Sequence, residues 1–302
     1  MNKIHQALQD FLSRVPAGSL RDLDDVQMLT EQFMAMQNHQ GLDDFEGLSP
    51  AQMRQALDGV EGFDGFRLHR EQRLGDAMLE GVPLIAMYRD LAQRLQVKPI
   101  KLTPKGRWPR AVFMPLHDIK NSLIADDPYS EWVPRLEDDC PAVTSARVIF
   151  EELRWVRIVR GQLTLTRLGK TLAQPDQADN LFWTLFEFVI GRFNWGYNDR
   201  YDANPHIQHT FVFCVWLLAK NAGWQTMGQF LQRYHRAFPS LVQQDLAALA
   251  IRMTRVWQWM GVLQVKFNRT PADYAGSQDQ LQLTALGRAL YGVYRPEIKP
   301  VP

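Results

Sequence analysis

The segment from Phe193 to His209 concentrates side chains that could bind a metal ion. Asp199, Asp202, His206 and His209 combine carboxylates and imidazoles, which are ligands for several divalent ions. However, the two histidines stand three residues apart with no third histidine near them in the sequence. A rigid connector, in which polar side chains satisfy turns and aromatic rings pack, explains the same composition. We therefore predict a packed connector with no resident metal or cofactor, and keep His206 and His209 as the alternative metal ligands.

No catalytic pattern stands out in the rest of the chain. The sequence contains no Gly-x-Ser-x-Gly nucleophile motif, no phosphate-binding glycine loop and no Gly-x-Gly-x-x-Gly. Paired carboxylates such as Asp24 and Asp25, or Asp138 and Asp139, lie in polar surroundings. A general acid or base needs an apolar frame to shift its pKa. We therefore predict that the protein is not an enzyme.

One short phrase occurs three times and predicts how the chain is organised. It has the form apolar-x-Leu-Thr-x-x-Gly-Arg/Lys, and its copies are Ile100–Arg107, Leu163–Lys170 and Leu281–Arg288. Such a phrase is typical of the strand that closes a β-wing and runs into a helix, as in winged-helix domains. Three copies predict a mainly α-helical protein with small β-hairpins, built from tandem winged-helix-like modules.

The second and third copies have the clearest surroundings. Val156–Val159 and Leu163–Thr166 alternate apolar and polar residues on either side of Arg160-Gly161-Gln162, which predicts a hairpin. In the third region, a helix predicted over residues 240–260 precedes a wing over residues 262–284. Three helices followed by a two-stranded wing is the full winged-helix order.

The same patterns predict the boundaries of the modules. Helical spacing of apolar residues covers the N-terminal part, and we align Glu152–Val159 with Gln258–Val265 as equivalent helix ends that lead into strands. Four regions are predicted: an N-terminal helical region (1–70), a degenerate winged-helix-like module (71–140), a winged-helix-like module (141–200) and a C-terminal winged-helix module (201–302).

Basic side chains near the predicted wings are candidates for phosphate contacts. In a winged helix the third helix can enter the major groove while the wing reaches the backbone. The candidates lie on the C-terminal module, the second wing and the first copy of the phrase: Arg252, Arg255, Lys266 and Arg269; Arg154, Arg157 and Arg160; Lys105 and Arg107. Against this reading, the helix over 240–260 is apolar at most positions and carries Asp245, which phosphates would disfavour. Winged helices also serve as protein-interaction modules.

Four stretches carry a resemblance to known proteins. They are Gly47–Met53, Lys101–Pro109, Phe193–Tyr197 and His206–Phe211, and together they span most of the chain. Through them the chain resembles a family of uncharacterised bacterial proteins. The resemblance implies a helical chain with winged-helix-like parts and no known activity. Some members carry a cysteine-rich metal-binding tail, whereas this chain ends in Lys299-Pro300-Val301-Pro302, so the resemblance does not imply metal binding here.

Composition and charge restrict the class of protein. At 302 residues and 46% hydrophobic content, the chain is long enough to bury a substantial core. Its best apolar run, Phe211–Ala219, is about half the roughly 20 residues that a membrane span needs. We therefore expect no membrane association. Cys140 and Cys214 form no metal-ligand pattern, so we expect free thiols in a reducing cytoplasm.

Charge is unevenly distributed, although the net charge is only +1. Residues 1–80 contain 7 Lys or Arg against 14 Asp or Glu, and residues 209–302 contain 10 against 4. Such asymmetry fits either complementarity within the chain or a basic face for a polyanion.

Two functions are therefore predicted, and both are non-catalytic. The favoured one is a protein–protein adaptor or assembly subunit that binds an unidentified protein partner. The alternative is a DNA-binding or DNA-associated regulator that uses the helix at 240–260 and the wing at 262–284 on double-stranded DNA. The exposure and pairing of the candidate arginines and lysines distinguish between them.

Overall fold

The computed structural model describes residues 3–15, 22–124, 133–197, 199–202, 204–221, 223–268 and 276–292. The chain divides into two compact units, residues 1–55 and 56–302. Helices dominate the described residues, and the strands form small antiparallel sheets, as the sequence predicts. No helix among these residues has the length and apolar character required to cross a membrane.

The described part of the first unit includes α1 (Lys3–Leu12), α2 (Leu23–His39), a 3-10 helix (Asp43–Phe45) and most of α3 (Pro50–Leu57). The Asp22 side chain caps α2 by accepting a hydrogen bond from the Asp25 N–H at 2.9 Å. A capping box begins α3. The Ser49 hydroxyl accepts from the Gln52 N–H at 3.2 Å, and the Gln52 side chain accepts from the Ser49 N–H at 3.0 Å.

The second unit contains two repeats with the same element order: helix, short strand, helix, helix, strand, strand. The first repeat consists of α5 (Pro83–Val97), β3 (Ile100–Lys101), α6 (Arg110–Leu123), α7 (Pro141–Glu152), β4 (Val156–Val159) and β5 (Gln162–Leu165). The second repeat consists of α10 (Phe211–Ala219), β6 (Gln225–Thr226), α11 (Met227–Ala237), α12 (Gln243–Arg252, continued by a π-helix at Met253–Trp257), β7 (Leu263–Lys266) and β8 (Gln280–Leu283). Their sheets have equivalent strand orders, β3-β5-β4 and β6-β8-β7.

The first copy of the repeated phrase does not close a wing of its own, so that prediction is wrong. Its strand, β3, is the first strand of a sheet and pairs with β5, with Ile100 opposite Leu163 and Lys101 opposite Gln162. Residues from the predicted modules 71–140 and 141–200 therefore share one sheet. The predicted boundary at residue 140 falls between α6 and α7, inside a single repeat.

The second copy of the phrase builds the start of helix α8 (Arg167–Leu172). Thr166 caps this helix, because its hydroxyl accepts from the Gly169 N–H at 3.0 Å. The same hydroxyl donates to the Arg154 carbonyl at 2.7 Å, where α7 gives way to β4. A Cβ atom on Gly169 would collide with the carbonyl oxygen of Trp155, so only glycine fits.

The third copy repeats this arrangement at the start of helix α13 (Ala285–Leu290). The Thr284 hydroxyl accepts from the Gly287 N–H at 2.9 Å and donates to the Gly261 carbonyl at 2.6 Å. A Cβ atom on Gly287 would collide with the Val262 carbonyl oxygen. In these two copies the phrase therefore marks the last strand of a repeat in chain order. The threonine that follows this strand forms a hydrogen bond to the preceding helix–strand turn.

These bonds also correct the predicted alignment of the two repeats by one residue. Arg154 and Gly261 both accept from the capping threonine, and both have a positive φ, of 56° and 68°. Arg154 is therefore equivalent to Gly261, whereas the sequence alignment paired Trp155 with Gly261. The alternation along the strand contains this signal, because the predicted alignment pairs Arg157 with Leu263 and Ile158 with Gln264, whereas the corrected one pairs Arg157 with Gln264 and Ile158 with Val265.

Further elements of the second unit are α4 (Asp76–Glu80), α9 (Ala178–Gly191), and the strands β1 (Gly62–Phe63), β2 (Phe66–Leu68) and β9 (Tyr291–Gly292). The three strands form one sheet in the order β1-β2-β9. Gly62 and Gly65, with φ of 92° and 94°, shape the hairpin between β1 and β2. This hairpin lies in the second unit, although the predicted N-terminal region extends to residue 70.

Aromatic side chains fill the core of the first repeat. The Tyr88 ring lies 4.5 Å from Trp155 and 5.1 Å from Phe150, measured between centroids, and all three are fully buried. The Tyr88 hydroxyl donates to the Gly169 carbonyl at 2.7 Å. Burial raises the pKa of this phenol above its ordinary value. The capped turn at Thr166 is thereby fixed to the centre of the repeat.

Candidate interaction surface

The third helix of each repeat is buried, although this is the helix that reads DNA in a winged-helix protein. Of the twelve residues of α7, all of them described, only Glu152 is exposed. Along α12 and its π-helical continuation, the exposed residues are Gln243 and Gln244 at the N-terminal end. Neither helix presents a continuous face that could enter a groove.

Arg252 is a core residue, which corrects its prediction as a phosphate ligand. It is 6% exposed, and its Nε donates to Asp199 Oδ2 at 2.6 Å. Asp199 is also buried and accepts from the Tyr201 N–H at 2.9 Å. Gly196 leaves room for the guanidinium, since a Cβ at this position would lie 2.8 Å from Arg252 Nη2. The arginine therefore fastens the connector to α12.

The other candidates of the second repeat do not form one exposed cluster. Arg255 is half-buried in a cleft that it lines together with Gln258 and Trp259. Lys266 is exposed, with its Nζ 4.3 Å from the centroid of the Trp224 ring. Arg269 lies outside the described residues. The structure thus does not gather the predicted phosphate ligands of the helix at 240–260.

The two candidates of the first phrase copy differ from each other. Arg107 is half-buried and forms an ion pair with Asp138. Lys105 is exposed at the turn where Gly106 has a φ of 71°. Only the lysine is therefore available to a partner.

Five exposed cations surround the first sheet, and we call them the wing surface: Lys101, Lys105, Arg154, Arg157 and Arg160. None of their side chains has a hydrogen bond or ion pair to another residue in the described parts of the chain. Strand pairing places Lys101, Gln162 and Val159 side by side across β3, β5 and β4, with their side chains on the same face of the sheet. Arg157 lies on the same face, because residues alternate along a strand. The wing surface is thus a cationic patch on the outer face and tip of one sheet.

Two arginines of the wing surface have an unfavourable backbone conformation. Arg154 has a φ of 56° and Arg160 a φ of 51°, in the left-handed region that favours glycine and asparagine. They flank β4, with Arg154 before it and Arg160 in the tight turn after it. The equivalent residue of Arg154 in the second repeat is Gly261. Each arginine therefore stands where a glycine would give a more stable fold, which is typical of residues with a function.

The segment Phe193–His209 is a packed connector in its described part, as predicted. The indole N–H of Trp195 donates to the Val189 carbonyl at 2.8 Å, and the Gln208 side chain donates to the Ile190 carbonyl at 2.9 Å. The His206 and His209 rings are exposed and pack edge to face, with centroids 5.6 Å apart. Among the described residues, no group of three or more His, Cys, Asp or Glu side chains could hold a metal ion.

No protein-family model matches the chain, and no curated protein or solved structure shows significant similarity to it. The resemblance carried by the four sequence stretches therefore stays a prediction. Sequence reasoning selected the arginines of the wing surface but missed their backbone strain. The sequence signal for this strain is the Arg160-Gly161 pair, since a two-residue hairpin turn of type I′ requires a positive φ at both positions.

Proposed function

We propose that this chain is a non-catalytic binding protein, a protein–protein adaptor or assembly subunit of the bacterial cytoplasm built from two winged-helix-like modules. In this proposal, α5 to β5 form one module and α10 to β8 form the other. The observation that carries it is the contrast between buried third helices and an exposed, unpaired wing surface. In this proposal the third helix of each module packs inside the module, and the partner binds the wing surface.

Each step has a physical reason. A helix that reads DNA must present several polar side chains to base edges, and neither third helix has a continuous exposed face. Cations that are neither paired nor buried are available to attract an acidic partner and to speed its association. Backbone strain at Arg154 and Arg160 is retained at the same patch.

DNA association is the second candidate, and the same free cations favour it. In this version the wing surface contacts phosphates and no helix enters the major groove. Binding would then be independent of sequence and would weaken steeply with salt. The exposed apolar side chains of β4, Ile158 at 48% and Val159 at 41%, favour a protein partner instead, because they offer nothing to a phosphate.

The proposal is tested by site-specific photo-crosslinking. A photoreactive amino acid at position 157 is compared with the same residue at position 264, which is the equivalent exposed position on β7. In the cell that makes the protein, we expect a discrete crosslinked protein band from position 157 and none from position 264. The band should survive nuclease treatment.

Two outcomes contradict the adaptor function. Crosslinks from position 157 that disappear with nuclease support DNA association. In that case fluorescence anisotropy with a random duplex should show a log–log salt slope of about −4 or steeper. Equal labelling from positions 157 and 264 means that the wing surface has no specific partner.

A further inference from the structure

Strand β4 has a free hydrogen-bonding edge. The Thr166 N–H donates to the Trp155 carbonyl at 3.1 Å, so Trp155 directs its backbone toward β5. Alternate residues along a strand direct their backbone groups to the same side. Arg157 and Val159 therefore bond to β5, opposite Thr164 and Gln162. The N–H and C=O groups of Val156 and Ile158 point away, on the side where the described sheet ends. Val156 is only 2% exposed, so the accessible part of this edge is at Ile158.

The side chains along this edge are unusually apolar. Ile158 is 48% exposed and Val159 is 41% exposed. In the second repeat the equivalent residues of β7 are Val265, which is 2% exposed, and the charged Lys266. Polar or charged residues normally protect a free edge from pairing with other chains. β7 has a charged residue at this position, whereas β4 exposes one apolar side chain on each face of the sheet.

Cations surround the same edge. Arg154 and Arg160 lie at its two ends, and Arg157 lies on the outer face between them. An extended peptide that adds to a sheet forms main-chain hydrogen bonds along the edge, and its alternate side chains face opposite sides of the sheet. Its apolar residues would lie beside Ile158 and its carboxylates beside Arg157.

We infer that β4 is a docking edge that receives an extended acidic segment of the protein partner as an added β-strand. The inference rests on the proposed adaptor function and specifies how the partner binds. The recognised segment alternates apolar and acidic residues over about five positions, the length that a short strand can pair. A nucleic acid offers no strand edge and no apolar side chain, so it matches the cations alone.

The experiment measures amide hydrogen exchange by NMR on the full chain. The probe is a peptide of about seven residues that alternates glutamate and valine, and its control has prolines in place of the valines. We expect the alternating peptide to slow exchange at the Ile158 amide by about tenfold or more at saturation. The Arg157 and Val159 amides, already bonded to β5, should change little. The proline peptide should have no effect.

Two variants separate the edge from the charge. Ile158→Pro removes the outward N–H without removing a bond to β5, and should reduce peptide affinity by about tenfold. Ile158→Glu keeps the backbone intact and should cause a similar loss, because it places a carboxylate beside the valines of the peptide. The control variant is Gln264→Glu in β7, which should leave peptide affinity unchanged. Val265→Glu cannot serve as the control, because the Val265 side chain is buried.

Several results overturn the inference. Binding of the alternating peptide without slower exchange at Ile158 means that the charge attracts the peptide but the edge does not pair. A peptide that does not bind at about 1 mM overturns strand addition altogether. Slower exchange produced by a random duplex, and not by the peptide, assigns the patch to nucleic acid. The crosslinking result at position 157 decides the adaptor function separately from all of these.

Discussion

Arg252 and Arg157 belong to the same predicted set of phosphate ligands but have opposite environments. Arg252 donates to a carboxylate that is itself buried, and both side chains are almost inaccessible. Arg157 projects from an exposed strand with no described partner. A guanidinium in the first environment stabilises the fold, and one in the second is free to bind. The two residues therefore predict different phenotypes for the same substitution.

We expect Arg252→Met to destabilise the protein by about 3–5 kcal/mol, because it leaves the Asp199 carboxylate buried without its cation. Arg157→Met, the matched exposed control, should change the unfolding free energy by less than about 0.5 kcal/mol. Urea unfolding of both variants measures the difference. Equal stability of the two variants would contradict a structural role for Arg252.

The strained arginines predict that a substitution which stabilises the fold also weakens binding of the partner. Arg154→Gly should raise the unfolding free energy by about 1 kcal/mol, because glycine adopts the left-handed conformation without the steric cost. The same substitution removes a cation from the wing surface and should weaken the acidic peptide. Thermal unfolding and peptide titration on one preparation test both effects. Lower stability of the glycine variant would mean that the Arg154 side chain stabilises the fold by its contacts.

At the scale of elements, the Leu-Thr-x-x-Gly phrase has two structural roles. In the second and third copies, the threonine caps a helix and ties it to the preceding turn. In the first copy, the Thr103 hydroxyl accepts from the Arg107 N–H at 3.0 Å within an open turn. A Cβ atom on Gly106 would have no neighbour within 4 Å, whereas one on Gly169 would collide with backbone. The same letters thus serve two local structures.

This difference predicts unequal effects of removing the hydroxyl. Thr166→Ala should destabilise the protein by about 1–2 kcal/mol, because it loses both the helix cap and the bond to the Arg154 carbonyl. Thr103→Ala should cost about 0.5 kcal/mol, since its turn is exposed to water. Chemical unfolding of both variants compares the two. A larger effect at Thr103 would mean that its turn holds β3 in the sheet.

Local signals predict local structure well in this chain. Helix α10 lies where the apolar run Phe211–Ala219 places it, and Thr226 caps α11 through a capping box with Gln229. Gly161 marks the turn between β4 and β5, as predicted. These features depend on side chains and backbone groups only a few residues apart, so the sequence contains the necessary information.

Long-range pairing is not predictable from the same signals. A two-residue strand such as β3 has no periodicity of its own, and its partner β5 lies about sixty residues later in the chain. The burial of Arg252 depends on Asp199, which is similarly distant in the sequence. For the same reason, the sequence identifies the basic residues of the wing surface but not which of them remain unpaired.

At the scale of the whole molecule, both cysteines are buried and free. Burial raises the pKa of Cys214 to about 12, and burial together with nearby Asp139 raises the pKa of Cys140 to about 12. In an unfolded chain a thiol has a pKa of about 8.5. The folded state therefore retains thiol protons that the unfolded state releases when the pH rises above about 9.

The sign of the pH dependence follows from this difference. Groups whose folded pKa is raised stabilise the fold below their unfolded pKa, and that stability is lost as the pH rises toward the folded value. We expect the unfolding free energy to fall by about 2 kcal/mol per thiol between pH 8 and pH 10. The buried tyrosines Tyr88, Tyr234 and Tyr291 also have raised pKa values, but unfolded phenols titrate near pH 10, so thiols dominate this window.

Urea unfolding at pH 8 and pH 10, with Cys214→Ala as the control, measures this dependence. The variant lacks one of the two thiols, so its loss of stability over the same interval should be about 2 kcal/mol smaller than that of the unmodified chain. A thiol reagent at pH 8 should react with neither cysteine in the native protein and with both after unfolding, since thiolate is scarce in the core. Rapid native labelling of Cys214 would show that α10 opens locally, and the core of the second repeat would then be less stable than its packing implies.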